Sequence, residues 1–296
     1  MSDSIRTGRI IATYGKESLF EAKDNNEQFL ITANRKAGKA VCGDIVTVTE
    51  DNRIASILPR QSEYIRPDFR HRAKVLAANV DTVIWLTSHT PPNDELIAAR
   101  ALIVSRLLGL ELIIIQSKAD SLPAEVPQHL SDAQSLASTC DIPWFKISTV
   151  TAEGISELTD YIASKKALIV GQSGVGKSTL VHHLTGDESI RTQSVSEVTG
   201  HGRHTTTTAK LYQAESLKLE LIDAPGMRDI GLWQMPESDL LEGLPEIEQV
   251  AQHCRFNNCQ HNHEPDCAVK TALENGEIPQ LLYRAYCDAK EKELLN

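Results

Sequence analysis

The pattern G-x-x-x-x-G-K-S is filled by Gly171, Gly176, Lys177 and Ser178, inside the run ALIVGQSGVGKSTL that starts at Ala167. An apolar strand-like stretch leads into the glycines and a helix-like stretch leads out. That arrangement defines a phosphate-binding loop. Its glycines permit backbone conformations that aim successive N–H groups at one point, and the following helix adds its positive end. Gly171, Gln172, Ser173, Gly174, Val175, Gly176, Lys177, Ser178 and Thr179 are therefore the expected phosphate-binding residues. Lys177 supplies a point charge for the β- and γ-phosphates, and the Ser178 hydroxyl supplies a ligand for Mg²⁺. The loop requires a parallel α/β sheet around it. It begins only after 170 residues, whereas such a loop ordinarily opens its domain.

The partners of the loop are found on both sides of it. Downstream, LIDAPG follows an apolar run, so Asp223 is placed for a water-bridged Mg²⁺ contact and Gly226 for an N–H to the γ-phosphate. Between loop and Asp223 lies GHGRHTTTTAKLY. Thr206, with Thr205 and Thr207 as neighbours, is the expected third Mg²⁺ ligand, on a loop able to sense the γ-phosphate. No N-K-x-D follows Gly226. Upstream, LIIIQSKADSL ends a strand on Ser117, Lys118, Ala119 and Asp120. Asp120 would accept from guanine N1 and N2, and the Lys118 stem would lie over the base. KISTVTAEG around Ser148 resembles the loop that backs the base. Base readers thus come first, the phosphate loop second and the Mg²⁺ residues last. A circular permutation produces that order, and it is tolerated because domain termini usually lie close together.

The rest of the chain supplies two further units. From Gly8 to Leu58, five short β-rich runs separated by turn-like segments predict a small β-barrel of the OB type, a class that often binds RNA. Residues 60–74, RQSEYIRPDFRHRAK, read as a polar, basic linker. The first 75 residues carry 13 Lys and Arg against 10 Asp and Glu, so they are basic within a chain of net charge −10. That balance argues against a general nucleic-acid binder and points any RNA contact to the N-terminal quarter. From Asn79 onward, apolar strands alternate with helix-period segments, including one between Asp94 and Gly109. Near the C-terminus, Cys254, Cys259, His261 and Cys267 give C-x₄-C-x-H-x₅-C, a donor set suited to one closed, structural Zn²⁺. His263 is the rival to His261, and Cys287 reads as a helix-face residue. AVKTALENG and PQLLYRAYCDAKEKELL read as helices around the metal. The N-terminus lacks an apolar signal segment and no apolar run reaches the roughly 20 residues of a spanning helix. A cytoplasmic protein without membrane contact is expected.

The fold class expected is multidomain: an OB-type β-barrel over 1–62, a basic linker over 63–74, a circularly permuted α/β P-loop GTPase domain over 75–236, and a mostly helical zinc-binding domain over 237–296. The set GQSGVGKSTL, GRHTTT, DAPG and CRFNNCQHNHEPDCAVK, in this order behind a small barrel, resembles the ribosome small subunit-dependent GTPase A family of circularly permuted bacterial GTPases. The resemblance spans nearly the whole chain. It implies GTP hydrolysis stimulated by the small ribosomal subunit, late maturation of that subunit, and rRNA contacts from the barrel and zinc units. It also implies Mg²⁺ with GTP and one structural Zn²⁺; the chain is expected to act as a monomer. A P-loop ATPase would not need S-K-A-D after a strand. A nucleic-acid-binding module with a vestigial nucleotide site would not need an intact Lys177, Ser178 and Asp223. Two departures from common GTPase patterns stand out. Met227 occupies the position where a water-orienting Gln is often found, so His204 is the expected catalytic residue, with Arg203 a weaker choice. Ser117 stands where the family has Asn. Its shorter side chain cannot make the amide's contacts to base and loop; with Asp120 kept, this predicts GTP preference with weaker affinity.

Overall fold

The computed structural model describes residues 5–34, 37–188, 190, 209–224 and 230–295. His204, Thr206 and Gly226, with Arg203, Thr205, Thr207 and Met227, lie outside the described residues.

The β-rich N-terminal runs pair as their alternation and turns predict. Strands β1 (Arg6–Tyr14), β2 (Glu17–Ala22), β3 (Gln28–Thr32), β4 (Ile45–Val48) and β5 (Ile54–Ile57) are joined antiparallel as β1–β2, β2–β3, β1–β4 and β4–β5. A parallel bridge between Thr32 and Arg53 brings the end of β3 beside the start of β5, so the pairing order returns on itself. Ile10, Phe20, Ile31, Val46, Val48 and Ile54 fill the space enclosed. A register shift in β1 between Ile10 and Ala12 turns Ile11 out of this core and into the main one. Beyond the shift, Ala12 pairs with Lys210, and the two halves of the chain become one continuous sheet.

The stretch expected as a linker is instead half of a β-hairpin. Strand β6 (Glu63–Pro67) pairs antiparallel with β7 (Ala73–Ala78), so the boundary drawn at 74/75 falls inside β7. Local chemistry explains the turn. The Asp68 carboxylate accepts from the backbone N–H of Arg70 (2.8 Å) and Arg72 (3.0 Å) and pairs with the Arg72 guanidinium, the way an Asx turn reverses a chain.

The alternating region builds the sheet that carries the phosphate loop. In chain order it contains β8 (Thr82–Thr87), α1 (Ile97–Leu107), β9 (Glu111–Gln116), α2 (Gln128–Thr139), β10 (Trp144–Lys146), α3 (Ile155–Ile162), β11 (Lys166–Val170), α4 (Lys177–Thr185), β12 (Lys210–Ala214) and β13 (Leu219–Asp223). The spatial order is β10-β9-β8-β11-β13-β12, parallel throughout except for the antiparallel β12–β13 pair. Period-two alternation along the buried strands feeds two cores. Val83, Trp85, Leu112 and Ile114 join α1 and α2 on one face; Ile84, Leu86, Ile113 and Ile115 join α3 and α4 on the other. The strand order reverses between β8 and β11, where α3 carries the chain back across the sheet. In open α/β sheets such a reversal leaves a crevice beyond the carboxyl ends of the strands, where ligands bind.

Four C-terminal helices, α5 (Glu237–Glu242), α6 (Pro245–Ala251), α7 (Ala268–Glu274) and α8 (Gln280–Glu291), pack together, with α5 and α8 against α1. Leu240, Ile247, Leu282 and Tyr286 share the main core with Ile103 and Val104. Arg106 of α1 fixes the attachment through a bidentate pair to Glu246 at 2.8 and 3.0 Å. Among the described residues, no helix is long and apolar enough to cross a membrane.

Candidate nucleotide site and metal centre

The phosphate loop is shaped by what its glycines avoid. Gly171 leaves β11 at φ +154°, and a Cβ there would lie 2.3 Å from the Leu86 carbonyl oxygen. Gly176 enters α4 at φ +102°, a backbone region that glycine tolerates and other residues resist. Val175 is fully buried and pins the loop to the α3–α4 core. The Lys177 ammonium donates to the carbonyls of Gly171 (2.6 Å) and Gln172 (3.1 Å), so its charge sits over the loop rather than in solvent. Ser178 and Thr179 follow in the first turn of α4. The Gln172 side-chain oxygen is buried without a hydrogen-bond partner among the described residues. A loop bent at its glycines, with a lysine ammonium held over it at the start of α4, fits a bound polyphosphate.

The upstream segment meets this loop. Ser117 follows β9. Its N–H donates to the Thr87 carbonyl at 2.9 Å, and its hydroxyl reaches the Val175 carbonyl at 2.5 Å. The serine thus reaches the loop through its hydroxyl, a contact different from an amide's. The buried Ser117 backbone stands close enough to the loop that a two-atom side chain spans the gap. Lys118 adopts a left-handed conformation at φ 58°, and its ammonium donates to the Thr90 carbonyl at 2.9 Å. Asp120 lies in a single 3-10 turn (Ala119–Ser121), anchored by Ala119 N–H to the Ile147 carbonyl. Its carboxylate accepts from the fully buried Ser148 hydroxyl at 2.5 Å. The same hydroxyl oxygen accepts from the N–H groups of Val150 and Thr151, both at 3.1 Å. The order of the motifs in the chain is undone by the sheet: Ser117 to Asp120 after β9, Ser148 after β10 and the loop after β11 all lie at carboxyl ends of parallel strands. Asp223 ends β13, the parallel neighbour of β11, and pairs across to Lys210.

Sequence reasoning missed the segment between β8 and α1. The Thr90 carbonyl that holds Lys118 also accepts from the Ser88 hydroxyl at 2.6 Å, and the Pro91 ring lies beside Gly174. SHTPPND reads only as a turn, because nothing in a sequence indicates where a main-chain carbonyl points.

The second site gathers Cys254, Cys259, His261 and Cys267, whose ligating atoms all lie within 4.8 Å of one another. Cys254 Sγ is 3.9 Å from Cys267 Sγ, and each is 3.5 Å from His261 Nδ1. A tetrahedral ion with metal–sulfur bonds of about 2.3 Å has ligand–ligand edges of about 3.8 Å, so the cluster could hold a metal as it stands. His261 is buried, which lowers its pKa, with the nearby Lys290 ammonium acting in the same direction; both favour the neutral imidazole a metal needs. Its carbonyl accepts from the Tyr283 hydroxyl at 2.7 Å. Glu264, also missed in the sequence, accepts from the N–H groups of Gln260 (2.9 Å), Asn262 (3.0 Å) and His263 (3.2 Å). Those bonds, that of Gln260 foremost, hold its carboxyl down to about 2. His263 and Cys287 stand outside the cluster.

Comparison with known proteins agrees with this geometry. A family model described as RsgA GTPase matches residues 57–233. The small ribosomal subunit biogenesis GTPase RsgA of Hahella chejuensis is 35% identical over 278 residues, 92% of this chain and 80% of that protein. The protein of the same name from Haemophilus influenzae is 32% identical over 287 residues, 94% of this chain and 82% of that one. The crystal structure of YjeQ from Thermotoga maritima superposes with a TM-score of 0.71 at 26% identity, covering 98% of this chain and 99% of the other. YloQ, described as a circularly permuted GTPase, shares the fold with a TM-score of 0.65 at 21% identity, over 98% of this chain and 95% of its own. The chain belongs to the RsgA family of circularly permuted GTPases.

Proposed function

We propose that the chain hydrolyses GTP to GDP and phosphate during late maturation of the small ribosomal subunit, and that the subunit stimulates the reaction. The observation that carries this reading is the contact between Ser117 and Val175, next to the Asp120–Ser148 pair. It supports one pocket in which a base reader and a phosphate loop in permuted chain order serve the same nucleotide.

In that pocket Asp120 reads guanine, the Lys118 stem covers the base, and Ser148 orients the Asp120 carboxylate. Residues 171–179 bind the phosphates, and Lys177 turns from the loop carbonyls to them. Ser178, Thr206 and Asp223 are the residues that would hold Mg²⁺, whose bound charge offsets that developing on the phosphates. Gly226 contributes its N–H to the γ-phosphate. His204 orients the attacking water, because Met227 has no group for that task. Completion of the site by the ribosomal particle is worth about 10³–10⁵ in rate where an arginine finger does the comparable job.

Outside the pocket, the β1–β5 unit is read as an OB-type barrel. The hairpin β6–β7 replaces the linker of residues 63–74, and the helical unit from 237 onward is organised by one structural Zn²⁺ on Cys254, Cys259, His261 and Cys267. The ring-closed pairing of the first and the donor set of the second support those assignments. The barrel and the zinc unit contact rRNA, and the protein acts in the cytoplasm as a monomer. GTP and ATP turnover, measured with small subunits, large subunits and neither, tests the proposal. GTP turnover raised by small subunits alone is expected; equal use of ATP, or indifference to the subunits, would overturn it.

A further inference from the structure

Lysine on a surface turn is ordinarily free to sample its four side-chain torsions. Lys118 is held at both ends. Its backbone sits in the left-handed region at the start of the 3-10 turn, with φ 58° and ψ 41°. Its ammonium is 2.9 Å from the Thr90 carbonyl oxygen. That oxygen is itself held, because the Ser88 hydroxyl donates to it at 2.6 Å. Ser88 is fully buried, and its own carbonyl accepts from His129 Nε2 of α2 at 3.1 Å. The receiving carbonyl is therefore aimed before any ligand arrives. The hydrocarbon stem stretched between these two fixed points offers a ready apolar face to a planar base.

We propose that Ser88 is a positioning residue for guanine-nucleotide binding: by fixing the Thr90 carbonyl, it tethers the Lys118 ammonium and sets the lysine stem in place before the base stacks on it. The inference rests on the proposed base-binding role of Lys118. A stem already ordered loses little freedom when the base arrives, so the tether raises affinity through pre-organisation rather than through a new contact. It does not discriminate among purines. Discrimination belongs to Asp120, which the tether does not touch. The consequence is specific: loosening the tether weakens GDP and inosine diphosphate by the same factor, although inosine diphosphate lacks the 2-amino group that Asp120 would read.

The experiment measures GDP, inosine diphosphate and ADP affinities of the full-length, zinc-loaded chain by competition with a fluorescent guanine nucleotide. Ser88→Ala is expected to weaken GDP and inosine diphosphate equally, by about three- to tenfold. Ser88→Thr, which keeps the hydroxyl, is expected to restore the wild-type values, and Ser88→Ala added to Lys118→Ala to cost nothing further. Lys118→Met keeps an apolar stem without the ammonium and is expected to match Ser88→Ala, which leaves the inference testable even if the alanine variant folds poorly. An equal loss from Ser88→Ala with or without Lys118, a changed ratio of GDP to inosine diphosphate, or wild-type affinity in Lys118→Met would each overturn it. Wild-type protein that binds ADP as well as GDP would instead sink the underlying functional reading.

Discussion

The nucleotide pocket and the cysteine cluster bring distant residues together by different physics. In the pocket, the sheet does the gathering. Ser117, Ser148, Val175 and Asp223 arrive at the same edge of the sheet because β9, β10, β11 and β13 run parallel, and protein groups bond one another there without a ligand. In the cluster, four donors stand within 4.8 Å on a segment between α6 and α7 that has little regular structure of its own. Three thiols and an imidazole so close have no mutual attraction of comparable strength; a metal bound among them would supply it. The first site is an outcome of folding; with the proposed zinc, the second is a local condition of it.

Metal removal should separate the two most strongly. Structural zinc sites of this kind contribute about 10–16 kcal/mol of binding free energy. Chelation, or Cys259→Ser, is expected to make residues 252–268 protease-sensitive while GDP affinity is retained, as read by limited proteolysis and nucleotide titration on one sample. Lost GDP binding would show that the two regions are not independent. Lys177→Ala acts on the other side of the comparison: about 2–5 kcal/mol of nucleotide affinity is expected to go, with zinc content and thermal unfolding unchanged. Asp120→Asn is expected to weaken guanine nucleotides by about 1.5–3 kcal/mol and to favour xanthine nucleotides, whose 2-carbonyl can accept from the new amide. Equal weakening of all nucleotides would remove Asp120 from the base. Ser117→Ala deletes the hydroxyl at Val175 and is expected to cost about 1 kcal/mol in nucleotide affinity.

The smallest effect concerns Glu264. Its carboxyl lies below the ordinary 4.5, at about 2, so its support of the backbone around the cysteine cluster is complete above pH 4.5 and is lost as pH falls toward 2. Glu264→Gln is expected to move the midpoint of acid-induced zinc release to higher pH; an unmoved midpoint would make those backbone bonds incidental.

Much of the nucleotide pocket was legible in the sequence because each part carries its own chemistry. A glycine-rich loop, an acid after a strand and S-K-A-D after another remain recognisable in any order. The sheet was legible for a related reason: ELIII and VIWL are apolar at every position, as strands covered on both faces must be. Strand β12 was hidden, since KLYQA is short, mixed and preceded by four threonines, and its partner across the join is Ala12, almost 200 residues away. The hairpin β6–β7 was hidden by charge. RPDFRHR reads as solvated chain until Asp68 is seen to bond the backbone of its own turn. Helices α5 and α6 are six and seven residues long, too short to show periodicity, and take their place by packing on each other, on α1 and on α7. The cysteine spacing suggested a metal on Cys254, Cys259, His261 and Cys267 with His263 as the rival; the His261 ring, and not that of His263, lies among the three thiols.

The most direct test of the central claim is a crystal structure of the chain with GDP. The account predicts a β-phosphate cradled by residues 171–178 and, in the same molecule, both Asp120 carboxylate oxygens at about 2.8 Å from guanine N1 and N2. A base directed away from Asp120, with the phosphates still in the loop, would contradict it.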